Sequence, residues 1–259
     1  MGYNLLMDKP LQLSSYSTFN PAVFGKARGE RVSAQILKVL IDFLATKDLK
    51  RFKVLDVGCS SGIVSTYLSD YFDQVIAIDI DKKAIKLAKQ KNNRLNLKFR
   101  LTDIKDTRYS KNYFDIVICN QTVYCAEKPA ELMDKVFYYL KPGGICFFAN
   151  LNKYNLYDFQ YKLPLLSILP KKQADWYVRR FKRAKVFICA PLSFNQLKKL
   201  CSKFIIHKFT AKILHNPRKY SFKNLERFEK ILRLIPVSIW EKLEPLIPNF
   251  IWILEKPLN

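Results

Sequence analysis

The sequence predicts an α/β protein built on a mostly parallel sheet of seven strands, with helices on both faces. Short apolar, β-branched runs alternate along the chain with segments of helical periodicity, which is the pattern of successive strand–helix–strand units. The runs are continuously apolar, as expected for strands that are covered on both faces. With 259 residues, 49% of them hydrophobic, the chain is long enough to bury such a core and too apolar for intrinsic disorder.

The individual elements follow from local pattern in chain order. Apolar residues at helical spacing predict helices over 31–46, 62–71 and 129–140, and the run Lys141-Pro142-Gly143-Gly144 ends the last of them. Asp81 and Ser193 have the short polar side chains that cap a helix N-terminus, and each precedes a further predicted helix. The predicted strands are residues 53–57, 74–78, 97–101, 114–119, 145–149, 204–214 and 249–254.

The regular alternation stops after residue 150. Residues 151–190 are aromatic, basic and interrupted by prolines, and residues 215–247 return to a helical pattern. Both segments follow strands late in the sheet, so they are predicted to cap the ligand crevice outside the carboxyl ends of the strands. We interpret 1–259 as one Rossmann-like domain with an N-terminal lid segment (1–30), a core (31–150), these two helical cap insertions, and two returns to the sheet (191–214 and 248–259).

Positive charge is concentrated in the second part of the chain. The formal net charge is +23, and residues 151–259 hold 22 basic and 7 acidic residues against 23 and 15 in residues 1–150. An excess of charge bears on binding partners rather than on the fold. A basic surface that binds a partner is therefore expected in residues 151–259.

Residues 171–185 hold seven basic residues and one acidic residue, interleaved with Trp176, Tyr177 and Phe181. Three interpretations stay open. The segment is a solvated helix whose aromatic side chains pack inward, or it attracts an anionic acceptor or an anionic membrane surface, or it binds an RNA backbone. The apolar segment LPLLSILP just before it favours a partner with a lipid or phosphate portion, and nucleic acid is the less favoured partner.

The six cysteines are scattered without a CxxC pair, and the chain has two histidines. Clustered ligands at short spacing are missing, so no metal site is expected. The pattern favours free, buried thiols and a reducing compartment. There is no uncharged apolar run of about 18 residues, so we expect a cytoplasmic protein, with peripheral membrane contact left open.

The strongest chemical signal is the run VLDVGCSSG over Val54–Gly62, in which a strand enters a glycine turn and then a helix. Glycine lets the backbone approach a ligand closely. Asp56 lies in this strand, and Asp79 ends the next one about twenty residues later, as suits hydrogen bonding to ribose hydroxyls. A dinucleotide site would read G-x-G-x-x-G, whereas here Ser60 takes the middle glycine position, which argues against a bound pyrophosphate.

At these residues the chain resembles the class I S-adenosylmethionine-dependent methyltransferases of small-molecule type. Their first motif is close to V-L-D-x-G-C-G-x-G, and this sequence matches it at all but one position. Four further landmarks follow in the family's order over roughly 50–150. They are Asp79 in VIAIDID, Asp103 in FRLTDI, the strand start at Phe114–Val117, and the turn Leu140–Gly144.

The resemblance implies S-adenosyl-L-methionine as cofactor, S-adenosyl-L-homocysteine as product, and 31–150 as the cofactor-binding core. It places Asp56 and Gly58, in the same turn as Ser60 and Gly62, by the methionine part of the cofactor. It places Asp79, followed by Ile80, on the ribose hydroxyls, Asp103 with Ile104 on the adenine, and Asn120 with Gln121 beside the methyl group. In related enzymes the N-terminal segment often folds over the cofactor, which adds Tyr16 and Arg28 as candidates.

The catalytic assignment is weaker. Many small-molecule members carry a His after strand four, whereas this chain reads Val123-Tyr124-Cys125-Ala126. Tyr124, Asp158 and His215 are the remaining candidates for a general base. The chain lacks N-P-P-[YF] and Pro-Cys, which points away from nucleobase methylation. We predict O-methylation of a small-molecule or lipid/glycan-linked acceptor. The alternatives are an RNA methyltransferase that uses the basic C-terminal part, and a non-catalytic cofactor-binding partner subunit.

Overall fold

A computed structural model describes Ser17 and residues 24–158, 160–189 and 191–258. The helices are α1 (Lys26–Leu44), α2 (Ile63–Leu68), α3 (Lys82–Lys91), α4 (Pro129–Tyr139), α5 (Lys171–Arg180), α6 (Phe194–Leu200), α7 (Thr210–His215), α8 (Lys223–Glu226), α9 (Glu229–Leu232) and α10 (Val237–Leu243). The strands are β1 (Lys53–Val57), β2 (Gln74–Asp79), β3 (Leu97–Leu101), β4 (Phe114–Asn120), β5 (Leu140–Leu151), β6 (Tyr157–Asp158), β7 (Leu163–Pro164), β8 (Ile205–Lys208) and β9 (Asn249–Glu255).

Seven strands form the main sheet in the order β3-β2-β1-β4-β5-β9-β8. The first five pair in parallel, and β9 lies antiparallel between β5 and β8. The register sets Asp56 of β1 opposite Ala77 of β2 and Ile118 of β4. The predicted seven-stranded, mostly parallel Rossmann-like sheet is therefore confirmed.

Helices cover both faces of this sheet because successive residues of its central strands are buried on opposite sides. Val54 of β1 packs in one apolar cluster with Ile36 and Leu40 of α1. Leu55, the next residue, packs in the other cluster with Met133 of α4. This two-sided burial is the reason that the strands read as continuous apolar runs in the sequence.

One predicted strand is only partly correct. The run 204–214 forms a strand over Ile205–Lys208 and then the helix α7. Thr210 ends the strand, because its hydroxyl accepts the backbone N–H of Ile251 at 3.0 Å and so replaces a ladder partner of β9. Phe209 and Ile213 are then buried against the α1 side of the core. A short buried helix and a buried strand are equally apolar, so pattern alone cannot separate them.

The two insertions meet at their roots. Residues 151–190 carry a small apolar core of their own, and Asn152 at the start of this segment donates from Nδ2 to the carbonyls of Pro245 and Ile247 at 2.8 and 2.9 Å. Residues 215–247 hold the short helices α8, α9 and α10. That both segments cap a ligand stays a prediction.

The cysteines differ in part from the expectation of free thiols. Four of them are free and buried, namely Cys59, Cys119, Cys146 and Cys201. The other two form a disulfide, Cys125–Cys189, with 4.4 Å between their Cα atoms. It ties the end of the first insertion to the short 3-10 helix Val123–Cys125 that follows β4. The partners are 64 residues apart in the sequence, and only the folded chain brings them together.

Among the residues that the structure describes, no group of three or more His, Cys, Asp or Glu side chains is placed to hold a metal ion. None of the helices that these residues form is both long and apolar enough to cross a bilayer.

The disulfide predicts how many cysteines a thiol reagent can modify. Protein purified and unfolded in urea without reductant is expected to react with a thiol reagent at four cysteines, and at six after reduction. Cys189→Ser is expected to give five without reductant, because Cys125 loses its partner. Six reactive thiols in the unreduced wild type would contradict the pairing.

Candidate cofactor-binding site

The candidate site lies at the carboxyl edge of the parallel strands, where the strand order reverses. From β1 the chain passes to β2 and β3 on one side of the sheet, and then returns to β4 and β5 on the other. Ligands of open α/β sheets bind in the crevice at such a reversal. Asp56 lies next to the last residue of β1, Asp79 ends β2 and Asn120 ends β4.

The glycine turn after β1 is held against the end of β2 and against the segment that follows β4. The N–H groups of Gly58 and Cys59 donate to the carbonyl of Ile78 at 2.9 and 3.1 Å. Gly58 has φ +77°, and a Cβ there would lie 2.5 Å from Thr122 Oγ1. Thr122 in turn donates to the Val57 carbonyl at 2.8 Å. Only glycine fits this close approach. The role of Thr122 could not be predicted from the sequence, because it depends on β4 lying beside β1.

Gly62 has a packing role beside its place in the motif. It has φ +74°, and a Cβ would lie 2.5 Å from the Phe99 ring and 2.9 Å from Ala88 Cβ. The missing side chain lets the start of α2 lie against β3 and α3, and this sets where the glycine turn ends.

Asp79 connects the glycine turn to the end of β2. Its Oδ2 accepts the N–H of Ser60 at 2.7 Å, and its Oδ1 accepts the N–H of Asp81 at 2.8 Å. Burial raises the pKa of Asp79, while the hydrogen bonds from Asp81 and Ser60 oppose that rise. Each carboxylate oxygen has a second lone pair that can accept a hydroxyl, so the residue suits a diol.

Asp56 is buried behind the turn, with 3% of its surface exposed. The Ser65 hydroxyl donates to its Oδ2 at 2.5 Å. Burial raises the pKa of Asp56 to about 6; the Ser65 hydrogen bond lowers it and the charge of Asp79 raises it. Asp56 therefore anchors the first turn of α2. Ser65, its partner, was not predicted from the sequence.

The residues matched to the adenine side follow β3. Asp103 is half-buried, caps the 3-10 helix Ile104–Asp106 by accepting the Lys105 N–H at 3.0 Å, and lies 3.7 Å from Lys105 Nζ. Ile104 is buried in the core and Ile80 is half-buried after Asp79. The segment after β3 therefore places a polar residue, Asp103, beside an apolar one, Ile104.

The segment after β4 holds a buried acceptor without a partner. Gln121 has φ +58°, and its N–H donates to the Ala149 carbonyl at 2.8 Å. Its Oε1 is buried and accepts no hydrogen bond from any described residue. Buried polar atoms are nearly always hydrogen-bonded, so this atom fits a donor supplied by a ligand. Asn120, half-buried at the end of β4, is its neighbour.

The structure describes Ser17 and residues 24–30 of the predicted N-terminal lid segment, and Ser17 is the buried one among them. Ser17 donates its N–H to Asp81 Oδ2 at 2.7 Å, two residues beyond Asp79. Tyr16 lies outside the described residues. Arg28 is exposed on the first turn of α1, a helix that begins inside the predicted lid. Beside it, Gly29 approaches Ile63 at the start of α2 so closely that a Cβ would lie 2.4 Å from the Ile63 side chain.

The structure does not bring the three candidate bases together. Tyr124 is buried in the 3-10 helix after β4, and its N–H donates to Asn150 Oδ1 at 3.2 Å. Asp158 lies in the first insertion, where its Oδ1 accepts the N–H groups of residues 160 and 161; burial raises its pKa. His215 ends α7 and donates from Nδ1 to the Ile235 carbonyl at 3.2 Å. Asp158 thus stabilises a turn, and His215 bonds the segment before α10. Tyr124 follows Asn120 by four residues and is the candidate nearest to it in the chain.

Residues 55–148 match the family described as "Methyltransferase domain". This segment contains the glycine turn, both strand-end carboxylates and Asn120. Residues 55–148 are a class I S-adenosylmethionine-dependent methyltransferase domain.

The curated relatives of this methyltransferase domain differ in the atom that their names say they methylate. "Ubiquinone biosynthesis O-methyltransferase" of Coxiella burnetii (strain Dugway 5J108-111) is 28% identical over 136 residues, which cover 49% of this chain and 57% of that protein. "Phosphoethanolamine N-methyltransferase 3" of Arabidopsis thaliana is 29% identical over 147 residues, covering 55% and 29%. The chain thus spans little more than half the length of the Coxiella relative.

A solved structure extends the fold likeness beyond the methyltransferase domain. The plantazolicin methyltransferase BpumL, in complex with a desmethylPZN analog and S-adenosylhomocysteine, aligns with a TM-score of 0.58 over 93% of this chain and 88% of its own, at 17% identity. The likeness therefore includes the insertions as well as the matched segment, and at this identity it concerns the fold.

The buried Asp56 carboxyl predicts a pH-dependent stability. Its folded pKa of about 6 lies above the ordinary value of 3.8, so the protonated residue stabilises the fold in acid and that contribution is lost as pH rises through about 6. Asp56→Asn cannot ionise. Its free energy of unfolding, relative to wild type, is expected to increase by up to about 3 kcal/mol between about pH 4 and pH 8, measured by urea unfolding.

The matched control for this effect is Asp73→Asn, an exposed carboxylate just before β2. Its difference from wild type is expected to stay constant over the same pH range. An equally constant difference for Asp56→Asn would show that the carboxyl is not perturbed by burial.

Gly62→Ala is expected to destabilise the protein more than Gly143→Ala does. Both glycines have a left-handed φ, +74° and +71°, so both substitutions carry the backbone cost of about 1–2 kcal/mol. At Gly143 a Cβ meets only the end of Leu258 at 3.0 Å, whereas at Gly62 it overlaps Phe99 and Ala88. The overlap adds about 1–3 kcal/mol, measurable by urea unfolding. Equal losses would contradict the close packing of Gly62.

Proposed function

We propose that this protein transfers the methyl group of S-adenosyl-L-methionine to a hydroxyl oxygen of a small-molecule or lipid/glycan-linked acceptor. The observation that carries the proposal is the Asp79 carboxylate, held against the glycine turn by the N–H groups of Ser60 and Asp81. A carboxylate anchored in this way, at the strand-order reversal of a methyltransferase domain, suits the hydrogen bonding of a diol.

The proposed cofactor contacts follow the carboxyl edge of the sheet. Asp79 would hold the ribose hydroxyls, with Ile80 beside it, and Asp103 with Ile104 would contact the adenine. The turn over Asp56–Gly62 would lie along the methionine part of the cofactor, with the backbone of Gly58 and Ser60 facing that part. The unpartnered Gln121 Oε1 and the neighbouring Asn120 would face the region of the amino and methyl groups.

When bound, S-adenosylmethionine supplies an activated methyl: the acceptor oxygen forms the C–O bond, the C–S bond breaks with its electron pair to sulfur, and the hydroxyl proton passes to solvent or a side chain. The protein's task is then mainly to align acceptor and methyl group. We place Tyr124 on the acceptor side, since Asn150 Oδ1 fixes its backbone close to the end of β4. Asp158 and His215 would act on the shape of the insertions.

Three observations support an oxygen acceptor with an apolar portion. The segment after β4 reads Asn120-Gln121-Thr122-Val123, unlike the N-P-P-[YF] of nucleobase and glutamine amino-methyltransferases. The Coxiella relative is named as a ubiquinone biosynthesis O-methyltransferase. The first insertion, tied to the end of β4 by Cys125–Cys189, combines apolar and basic side chains. We further propose a cytoplasmic site of action, which the four free buried cysteines support and against which the Cys125–Cys189 disulfide counts.

The cofactor site is tested by calorimetric titration of S-adenosylhomocysteine. Asp79→Ala is expected to weaken binding by at least about tenfold, because it removes a charged hydrogen-bond acceptor and releases the Ser60 N–H. Asp73→Ala removes an exposed carboxylate at the other end of β2 and is expected to bind as wild type does. Equal affinities for wild type and Asp79→Ala would contradict the assignment of Asp79.

The reaction is tested with the wild-type protein, S-adenosylmethionine and a panel of phenolic, lipid-linked and sugar hydroxyls, with a methylated product detected by mass spectrometry. Product on a hydroxyl acceptor supports the proposal. Cofactor binding without turnover on any acceptor would favour the non-catalytic partner subunit, and methylated RNA would favour the RNA methyltransferase.

A further inference from the structure

Helix α5 presents a tryptophan outward, opposite to the face that it buries. Ala174 and Val178 are fully buried, whereas Trp176 is 60% exposed. At about 100° per residue, Trp176 lies about 180° around the helix from the centre of the buried pair. Of the three interpretations of residues 171–185, the one in which the aromatic side chains pack inward is therefore wrong for Trp176. It is also wrong for Phe181, which is 51% exposed although its ring contacts Tyr177.

Basic side chains surround this tryptophan. Lys172, Arg179 and Arg180 are exposed and lie within about 60° of Trp176 around the helix. The loop after the helix adds three more exposed cations, Lys182, Arg183 and Lys185. In the part of the chain that the structure describes, Asp175 pairs with Lys171, and none of these six cations forms an ion pair. Their charge is thus available to an external partner.

A cavity of about 360 Å³ lies beside the basic face. Its lining includes Lys182, Arg183, Lys185, Gln160 and Tyr161. Within this lining, the Ile188 N–H donates to the Tyr161 hydroxyl at 3.1 Å. The three cations give the cavity a positive charge, and its volume admits a lipid headgroup together with its phosphate.

Exposed aliphatic side chains belong to the same small unit. Leu156 and Leu165 are 70% and 51% exposed, and the Leu165 N–H donates to the Leu156 carbonyl at 2.8 Å. Their hairpin shares the apolar core of the first insertion with α5. Large exposed apolar side chains in a cluster mark interaction sites. A nucleic-acid backbone would use the cations and leave these leucines in water, whereas a lipid surface uses both.

We propose that the first insertion docks on an anionic membrane surface. Trp176 and Phe181 lie at the level of the lipid headgroups, as amphipathic aromatic side chains do, and the six cations neutralise lipid phosphates. The cavity lined by Lys182, Arg183 and Lys185 accepts one headgroup phosphate. Since Cys189 connects this insertion to the end of β4, docking holds the membrane beside the candidate site. Docking is measured as lipid binding and does not rest on the methyl acceptor.

The test is cosedimentation of the full chain with vesicles of phosphatidylcholine alone or mixed with phosphatidylglycerol. Wild type is expected to bind the mixed vesicles and to lose binding as salt is added. Lys172→Glu combined with Arg180→Glu is expected to weaken this binding by about tenfold or more. Lys83→Glu combined with Lys86→Glu makes the same charge change on exposed residues of α3 and is expected to bind as wild type does.

The apolar part is tested with Trp176→Ala, expected to weaken binding, and with Leu95→Ala as control at a side chain that is 98% exposed. Trp176→Phe is expected to keep most of the binding and to lose the fluorescence quenching by brominated lipid that wild type shows. Circular dichroism checks that each variant is folded. The proposal is overturned if wild type binds neither vesicle, if both charge-reversed pairs lose binding equally, or if the chain binds single-stranded RNA and no vesicle.

Discussion

The candidate site depends on one carboxylate. Asp79 ends a buried parallel strand, and both of its oxygens are held by backbone N–H groups, those of Ser60 and Asp81. The first bond fixes the turn after β1, and the second fixes the start of α3. Without these bonds the glycine turn would be held only by the Ile78 carbonyl on one side and by Thr122 on the other, among the residues that the structure describes. An acceptor fixed in this way can bind a diol without further ordering, which is how preorganised sites gain affinity.

A second carboxylate is buried close behind the first at a cost to stability. Asp56 is almost inaccessible and has one hydrogen bond from Ser65. Burial and the charge of Asp79 both raise its pKa, so near neutral pH an anion is held in the core. Buried ionisable groups of this kind cluster at functional sites. In this protein the buried charge lies on β1, the strand that leads into the glycine turn. When ionised, Asp56 adds negative charge near the proposed position of the cofactor's sulfonium.

The first insertion is attached to the chain near the candidate site and carries exposed side chains of its own. Asn152 joins it to the second insertion, and the disulfide Cys125–Cys189 joins it to the end of β4. Between them it folds around its own small apolar core, and this lets it present side chains outward that the main core does not need. The outward tryptophan and the unpaired cations belong to this independent unit.

The sequence by itself determined the sheet, the order of its landmarks and the two strand-end carboxylates, because continuous apolar runs and a glycine turn after Asp56 reflect local constraints. It could not separate the strand Ile205–Lys208 from the helix that follows, since buried segments of both kinds are apolar. Only the tertiary structure revealed Thr122 against Gly58, Ser65 on Asp56 and the disulfide, because each joins residues from different elements. It also revealed that Gln121 Oε1 is buried without a partner among the described residues, because burial depends on the packing around it. The direction of Trp176 was likewise decided by packing: periodicity marks an amphipathic helix, but burial of Ala174 and Val178 selects the face that turns inward.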